Sequence, residues 1–109
     1  MTKFKVNDIV KIKKKIYNLD LYYQYGQKHY RKFHTDEIGK IFQIVPEYPR
    51  VDNINVKFMM IKLWIYRKNA YPFVAYCKQE ELALANKEEC KKYEENEEIY
   101  EAKITAEKL

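Results

Sequence analysis

The segment Phe4 to Ile16, FKVNDIVKIKKKI, constrains the fold more than any other stretch, because its apolar residues recur with a period of two. Val10, Ile12 and Ile16 share one parity while Lys11, Lys13 and Lys15 share the other, so an extended strand here has one face for a core and one positive face. Asn7-Asp8 before it is turn-forming. A half-buried strand cannot stand alone, so further strands must follow.

They do. Glu37 to Val45, EIGKIFQIV, is strand-like, with Gly39 suited to a bulge or a close backbone approach. Its apolar residues divide between parities, Ile38, Phe42 and Ile44 against Ile41 and Val45, which requires a bulge or burial on both faces. Pro46 and Pro49 lack the N–H that a ladder uses and are expected to end that strand in a turn. Val51 to Tyr66 then reads as one long strand whose parity changes near Met59 and Met60, again implying a bend or bulge. Arg67 to Ala70 is expected to close a hairpin into Tyr71 to Cys77. Trp64 belongs at a core edge or on an exposed face. Leu82 to Ala85 is a short closing piece.

Between the first two strands lies Tyr17 to Thr35, with five tyrosines, one phenylalanine, two histidines and three basic residues around Gly26. It reads as a long loop or loose hairpin turning at that glycine, with Tyr22, Tyr23, Tyr25 and Tyr30 near the tip. After the sheet, Asn86 followed by Glu89 is a capping pair, so a helix begins there and is expected to reach about Glu95. Its stripe of Cys90, Tyr93, Tyr100 and Ile104 is interrupted by Glu97, and residues 96 to 109 suit helix or strand equally. That seam is narrow enough that a homodimer could complete it.

The opening Asn7-Asp8-Ile9-Val10, the strand entry Gly39-Lys40-Ile41 and the closing Glu81-Leu82-Ala83-Leu84 together resemble the SH3-like barrel in its KOW and Tudor-like variety. The likeness spans about residues 4 to 85, with Asn7 where the family commonly has glycine. It implies a mainly β fold: a small antiparallel SH3-like barrel of about five strands over residues 1–85, carrying a basic aromatic loop at 17–35. Residues 86–109 form an acidic C-terminal helical extension.

Charge is distributed unevenly. Residues 1–78 hold sixteen Lys and Arg against six Asp and Glu, whereas residues 79–109 hold five against ten. A basic body suits a polyanionic partner, and an acidic tail can fold back on that body or block nonspecific contacts. The expected interface comprises Lys11, Lys13, Lys14, Lys15, Lys28, Arg31 and Lys32 for phosphates, with Tyr22, Tyr23, Tyr25, His29 and Tyr30 as stacking platforms. With only Arg31, Arg50 and Arg67 as arginines, dense bidentate base readout is not expected.

Two glycines rule out glycine-rich phosphate loops, and no nucleophile elbow, HExxH or framed acid pair is present, so a noncatalytic protein without cofactor is expected. Cys77, Cys90, His29 and His34 match no metal-ligand spacing. No apolar run approaches the roughly 20 residues of a membrane span, and the N-terminus lacks a signal-type apolar stretch, so a cytoplasmic protein is expected. Two functions fit: an interaction module for RNA or single-stranded DNA, or a small phage or mobile-element protein that binds and inhibits a host protein such as a nucleic-acid enzyme. The second draws on a Lys-, Ile-, Asn-, Tyr- and Glu-rich composition, the coding bias of an AT-rich genome.

Overall fold

The computed structural model describes residues 3–20, 29–50, 53–67 and 72–107. The strands are β1 (Ile9–Ile12), β2 (Ile16–Asp20), β3 (His29–Phe33), β4 (Ile38–Pro49), β5 (Lys57–Ile65), β6 (Phe73–Cys77) and β7 (Leu82–Leu84). A 3-10 turn at Gln79–Glu81 precedes β7, and helix α1 (Lys87–Glu107) follows it. The chain is mainly β with one C-terminal helix, in line with the sequence reading.

Five strands form one antiparallel sheet in the order β6-β5-β4-β1-β7, and β2 and β3 form a separate antiparallel hairpin. The expected closed barrel is not formed: β6 and β7 are the two edges of an open sheet. With only three residues in β7 and five in β6, little backbone is available for an additional edge-to-edge ladder. The hairpin supplies the missing cover instead. Ile16 and Phe33, paired across it, are buried with Val10, Ile12, Ile41, Ile61, Leu63, Ile65, Ala75, Cys77 and Leu82, and Phe4 joins them from the N-terminal side. This is the inner face of the sheet, and burying it supplies the main driving force for folding.

Register explains the mixed parities. Ile41 pairs with Leu63 but Gln43 with Lys62, so β4 carries an extra residue at Phe42. A second irregularity separates the pairs Val45–Met60 and Tyr48–Phe58. The bend expected at Met59–Met60 therefore faces an extra residue on the partner strand. Pro46 falls inside this irregular stretch, which is why β4 runs on to Pro49 rather than ending at the first proline as expected. The long strand expected from Val51 starts only at Lys57. Before it, the Asn53 side chain accepts from the Asn55 N–H at 3.1 Å and the Asn53 carbonyl accepts from Val56 at 3.0 Å, fixing a turn.

Gly39 is a close-approach position. A Cβ there would lie 3.0 Å from Leu63 Cβ and 3.0 Å from Ile65 Cγ1 on the neighbouring strand. Asn7 takes a left-handed φ of 78°, which asparagine tolerates better than most residues, so the turn into β1 forms without glycine.

The helix starts where its cap predicts: the Glu89 N–H donates to Asn86 Oδ1 at 2.8 Å and the Asn86 N–H donates to Glu89 Oε1 at 3.0 Å. It continues well past Glu95, to Glu107. Glu97, which interrupts the apolar stripe in sequence, keeps its place on that stripe by pairing with Lys40, and Tyr100 then contacts Tyr66.

Candidate nucleic-acid interface

The positive parity of β1 points away from the core, onto the outer face of the sheet. There Lys11 and Lys40 meet α1: Lys11 Nζ lies 3.4 Å from Glu89 and Lys40 Nζ 3.3 Å from Glu97. The acidic tail folds back on the basic body. Tyr93, the buried residue of α1, donates its hydroxyl to the Trp64 carbonyl at 3.1 Å and sets its ring 5.4 Å from that of Tyr66. Burial raises the Tyr93 and Tyr66 hydroxyls above the ordinary 10.0, with Glu97 adding repulsion for both and Tyr66 doing so for Tyr93. Glu89 is held below its ordinary 4.5, first by the Asn86 backbone N–H and then by Lys11.

Lys11 is the residue of β1 that pairs with the helix. Lys13, Lys14 and Lys15, between β1 and β2, are all exposed, and none forms an ion pair among the described residues. The Lys13 N–H donates to the Glu81 carbonyl at 2.8 Å, anchoring the backbone of this turn. Next to it, Tyr17 is 61% exposed and pairs directly across the hairpin with Lys32. Directly opposed residues of an antiparallel pair project to the same side, so a phenol and an amine lie together there.

Arg31 and Arg67 are engaged. Arg31, opposite Asn18 in the hairpin, sets its guanidinium 3.9 Å from the centre of the Phe73 ring. Arg67 donates from Nε to Glu37 Oε1 at 2.7 Å, and from a terminal nitrogen to Glu37 Oε2 and to the Lys32 carbonyl, each at 2.9 Å. It also lies 5.0 Å from the Phe33 ring centre and 5.1 Å from that of Phe73. Glu37 in turn accepts the His34 N–H at 2.8 Å. Arg67 thus fastens the hairpin to the end of β5, a role that its place in a turn between two strands did not disclose.

The expected site residues are therefore distributed over several surroundings. Lys13, Lys14 and Lys15 are exposed in the turn before β2, and Lys32 pairs with Tyr17 across the hairpin; Lys11 is held by α1; Arg31 lies against Phe73. For His29 and Tyr30 only the strand backbone is placed, opposite Asp20 and Leu19. Tyr22, Tyr23, Tyr25 and Lys28, with the turn at Gly26, lie outside the described residues. Tyr17 is the residue the sequence reading passed over, although its exposed parity beside the lysine run was visible.

A second feature of the outer face is aromatic. Trp64, 37% exposed, stacks on Phe42 with ring centres 4.8 Å apart. Lys62 lies 5.6 Å from the centre of the neighbouring Tyr76 ring. Cys77 is buried and its thiol is pushed far above the ordinary value by desolvation, so it behaves as a small apolar group; Cys90 is half-buried, and both are free. Among the described residues no group of three His, Cys, Asp or Glu side chains could hold a metal ion, and no helix is long and apolar enough to cross a membrane. Comparisons with protein-family models, curated proteins and solved structures find no match.

Proposed function

We propose that this chain is a noncatalytic SH3-like interaction module that binds single-stranded nucleic acid, RNA or DNA, at the turn between β1 and β2 and the adjoining edge of the β2–β3 hairpin. The observation that carries this reading is three consecutive exposed lysines that form no ion pair among the described residues, followed by an exposed Tyr17 paired across the hairpin with a half-buried Lys32. Amines that spend no attraction on carboxylates are free to displace counterions from a phosphate backbone, and a solvent-facing phenol offers a stacking surface to any base. The SH3-like part is supported by the place of β1 between β4 and β7, the long hairpin inserted after β1, and the 3-10 turn before the last strand.

Fluorescence anisotropy with a labelled 12-nucleotide single strand tests the reading. Engagement of Lys13, Lys14, Lys15 and Lys32 gives a slope of log affinity against log salt of about −3, since each neutralised phosphate contributes roughly −0.7 on single strands. Replacing Lys13, Lys14 and Lys15 with glutamine reduces the steepness by about 2 on the same scale. Tyr17→Ala weakens binding by ~1–3 kcal/mol with the slope unchanged, because stacking carries no counterions. If no oligonucleotide binds at low salt, the proposal is lost.

A further inference from the structure

We infer that α1 is a built-in competitor for the polyanion: its carboxylates and a nucleic-acid strand contend for Lys11 and Lys40, so that binding releases the helix from the outer face of the sheet. This rests on the nucleic-acid reading and extends it to a second surface and a means of regulation.

Four observations converge. First, α1 carries eight glutamates against four lysines, and two of those glutamates, Glu89 and Glu97, are placed on the two sheet amines. Eight residues of helix separate them, so the helix lays a negative rail of about 12 Å over β1 and β4. Second, the attachment is slight. Tyr93 is the buried residue of the 21-residue helix, and it lies outside the main core cluster.

Third, the outer face beneath and beside the helix has the composition that single strands use. Lys40 stands directly across from Trp64 in the ladder, Trp64 stacks on Phe42, and Tyr66 lies under Tyr93 and Tyr100. Fourth, the covered and free amines are continuous. Lys11 is two residues from Lys13, so a strand seated on Lys13, Lys14 and Lys15 arrives beside the Lys11–Glu89 pair. A phosphate that takes Lys11 there leaves Glu89 without its amine, and like-charge repulsion then acts along the whole acidic helix.

The test compares three forms of the full chain binding a labelled twelve-residue oligothymidylate at low salt: wild type, Glu89→Gln with Glu97→Gln, and Glu88→Gln with Glu98→Gln. Both double variants remove the same charge from the same helix, but Glu88 and Glu98 are exposed and take no part in the two sheet ion pairs. Glutamine at 89 preserves the capping geometry. The expected result is a gain of about 5-fold or more for the Glu89/Glu97 variant, the scale of a modest coupling between sites, and under about 2-fold for the other.

A measurement on wild type stands beside it. Cys77 is buried and Cys90 half-buried on α1, so N-ethylmaleimide reports on Cys90, and saturating oligothymidylate is expected to speed that alkylation. Equal gains in the two double variants, or alkylation that the oligonucleotide leaves unchanged or slows, would overturn the inference while leaving the nucleic-acid reading standing. Binding by none of the three forms would overturn both. If the Glu89/Glu97 variant loses helix by circular dichroism, the alkylation result decides.

Discussion

Replacing Tyr93 with alanine should detach α1 and leave the sheet folded. Tyr93 is 3% exposed, its ring meets Tyr66 at 5.4 Å, and its hydroxyl satisfies the Trp64 carbonyl at 3.1 Å. Removing a buried aromatic ring costs ~3 kcal/mol at the lower end of the core range, which suits a site at the margin of the sheet. The lost hydrogen bond adds about 1 kcal/mol. Against this, the Lys11–Glu89 and Lys40–Glu97 pairs are partly solvated, with side-chain exposures of 22–31%, and solvent screening keeps both weak. The Tyr66–Tyr100 contact supplies about 1 kcal/mol more. What remains is a thin attachment for a helix whose stability, like that of most helices in proteins, comes mainly from packing. Hydrogen exchange on the full chain is the assay. Amides of 87–107 should lose roughly 100-fold or more in protection, as a change of ~3 kcal/mol implies, while β4 and β5 change by less than about 10-fold. Tyr93→Phe, which keeps the ring, should cost α1 only about 5-fold. Equal loss in β5 and α1 would refute the reasoning, since helix and sheet would then open as one unit; so would undiminished protection in α1.

Three further outcomes follow from local geometry. Gly39→Ala should lower stability by ~1–3 kcal/mol in urea unfolding, because the added methyl meets Leu63 Cβ and Ile65 Cγ1 at 3.0 Å and strand backbone cannot step aside; an unchanged midpoint would show that it can. Glu37→Gln should loosen the hairpin by about 1–2 kcal/mol, after allowance for a pair whose side chains are 30% and 19% exposed, with exchange rising in β2 and β3 and unaltered in α1. The acid response of α1 has a definite sign. Glu89 has a folded value below the ordinary 4.5, so its contribution is complete above 4.5 and disappears as pH falls through that lower folded value. Helix content by circular dichroism should hold from neutral pH down to 4.5 and decline below it, and Glu89→Gln should flatten the part of that decline belonging to this residue.

What could be read in the sequence was what depends on neighbours along the chain. The alternation of Val10 and Ile12 is complete in itself, and the core burial of both follows from it. The Asn86–Glu89 cap spans three residues and formed as expected. The parity break in Glu37–Val45 announced a bulge, but the register that places the extra residue at Phe42 is a property of two strands. Closure of the sheet depends on β6 and β7 finding each other across the fold, and no local pattern reports on that. Pro46 was misleading for a related reason: the proline rule assumes a regular ladder, and here the ladder is already irregular at that position. In the candidate site, exposure of Lys13, Lys14 and Lys15 was legible. The capture of Lys11 by Glu89 and of Arg67 by Glu37 was not, because each partner is remote in sequence and chosen by the tertiary structure.

That capture changes what the charge asymmetry means. Taken over the whole chain, the acidic tail cancels half of the basic body's excess and leaves a formal net charge of +5, a sum that says nothing about where the positive charge sits. Folding makes the offset local. Glu89 and Glu97 answer Lys11 and Lys40 on the outer face, whereas the turn at Lys13, Lys14 and Lys15 keeps three amines without a described counter-charge. Screening at physiological salt, with a Debye length of ~8 Å, limits how far the helix carboxylates weaken that turn. On the nucleic-acid reading proposed above, a polyanion meets the amines at one end of β1 first and those held by the helix only afterwards. The order of encounter, free amines and then contested ones, is set by where the carboxylates dock and not by how many the chain contains.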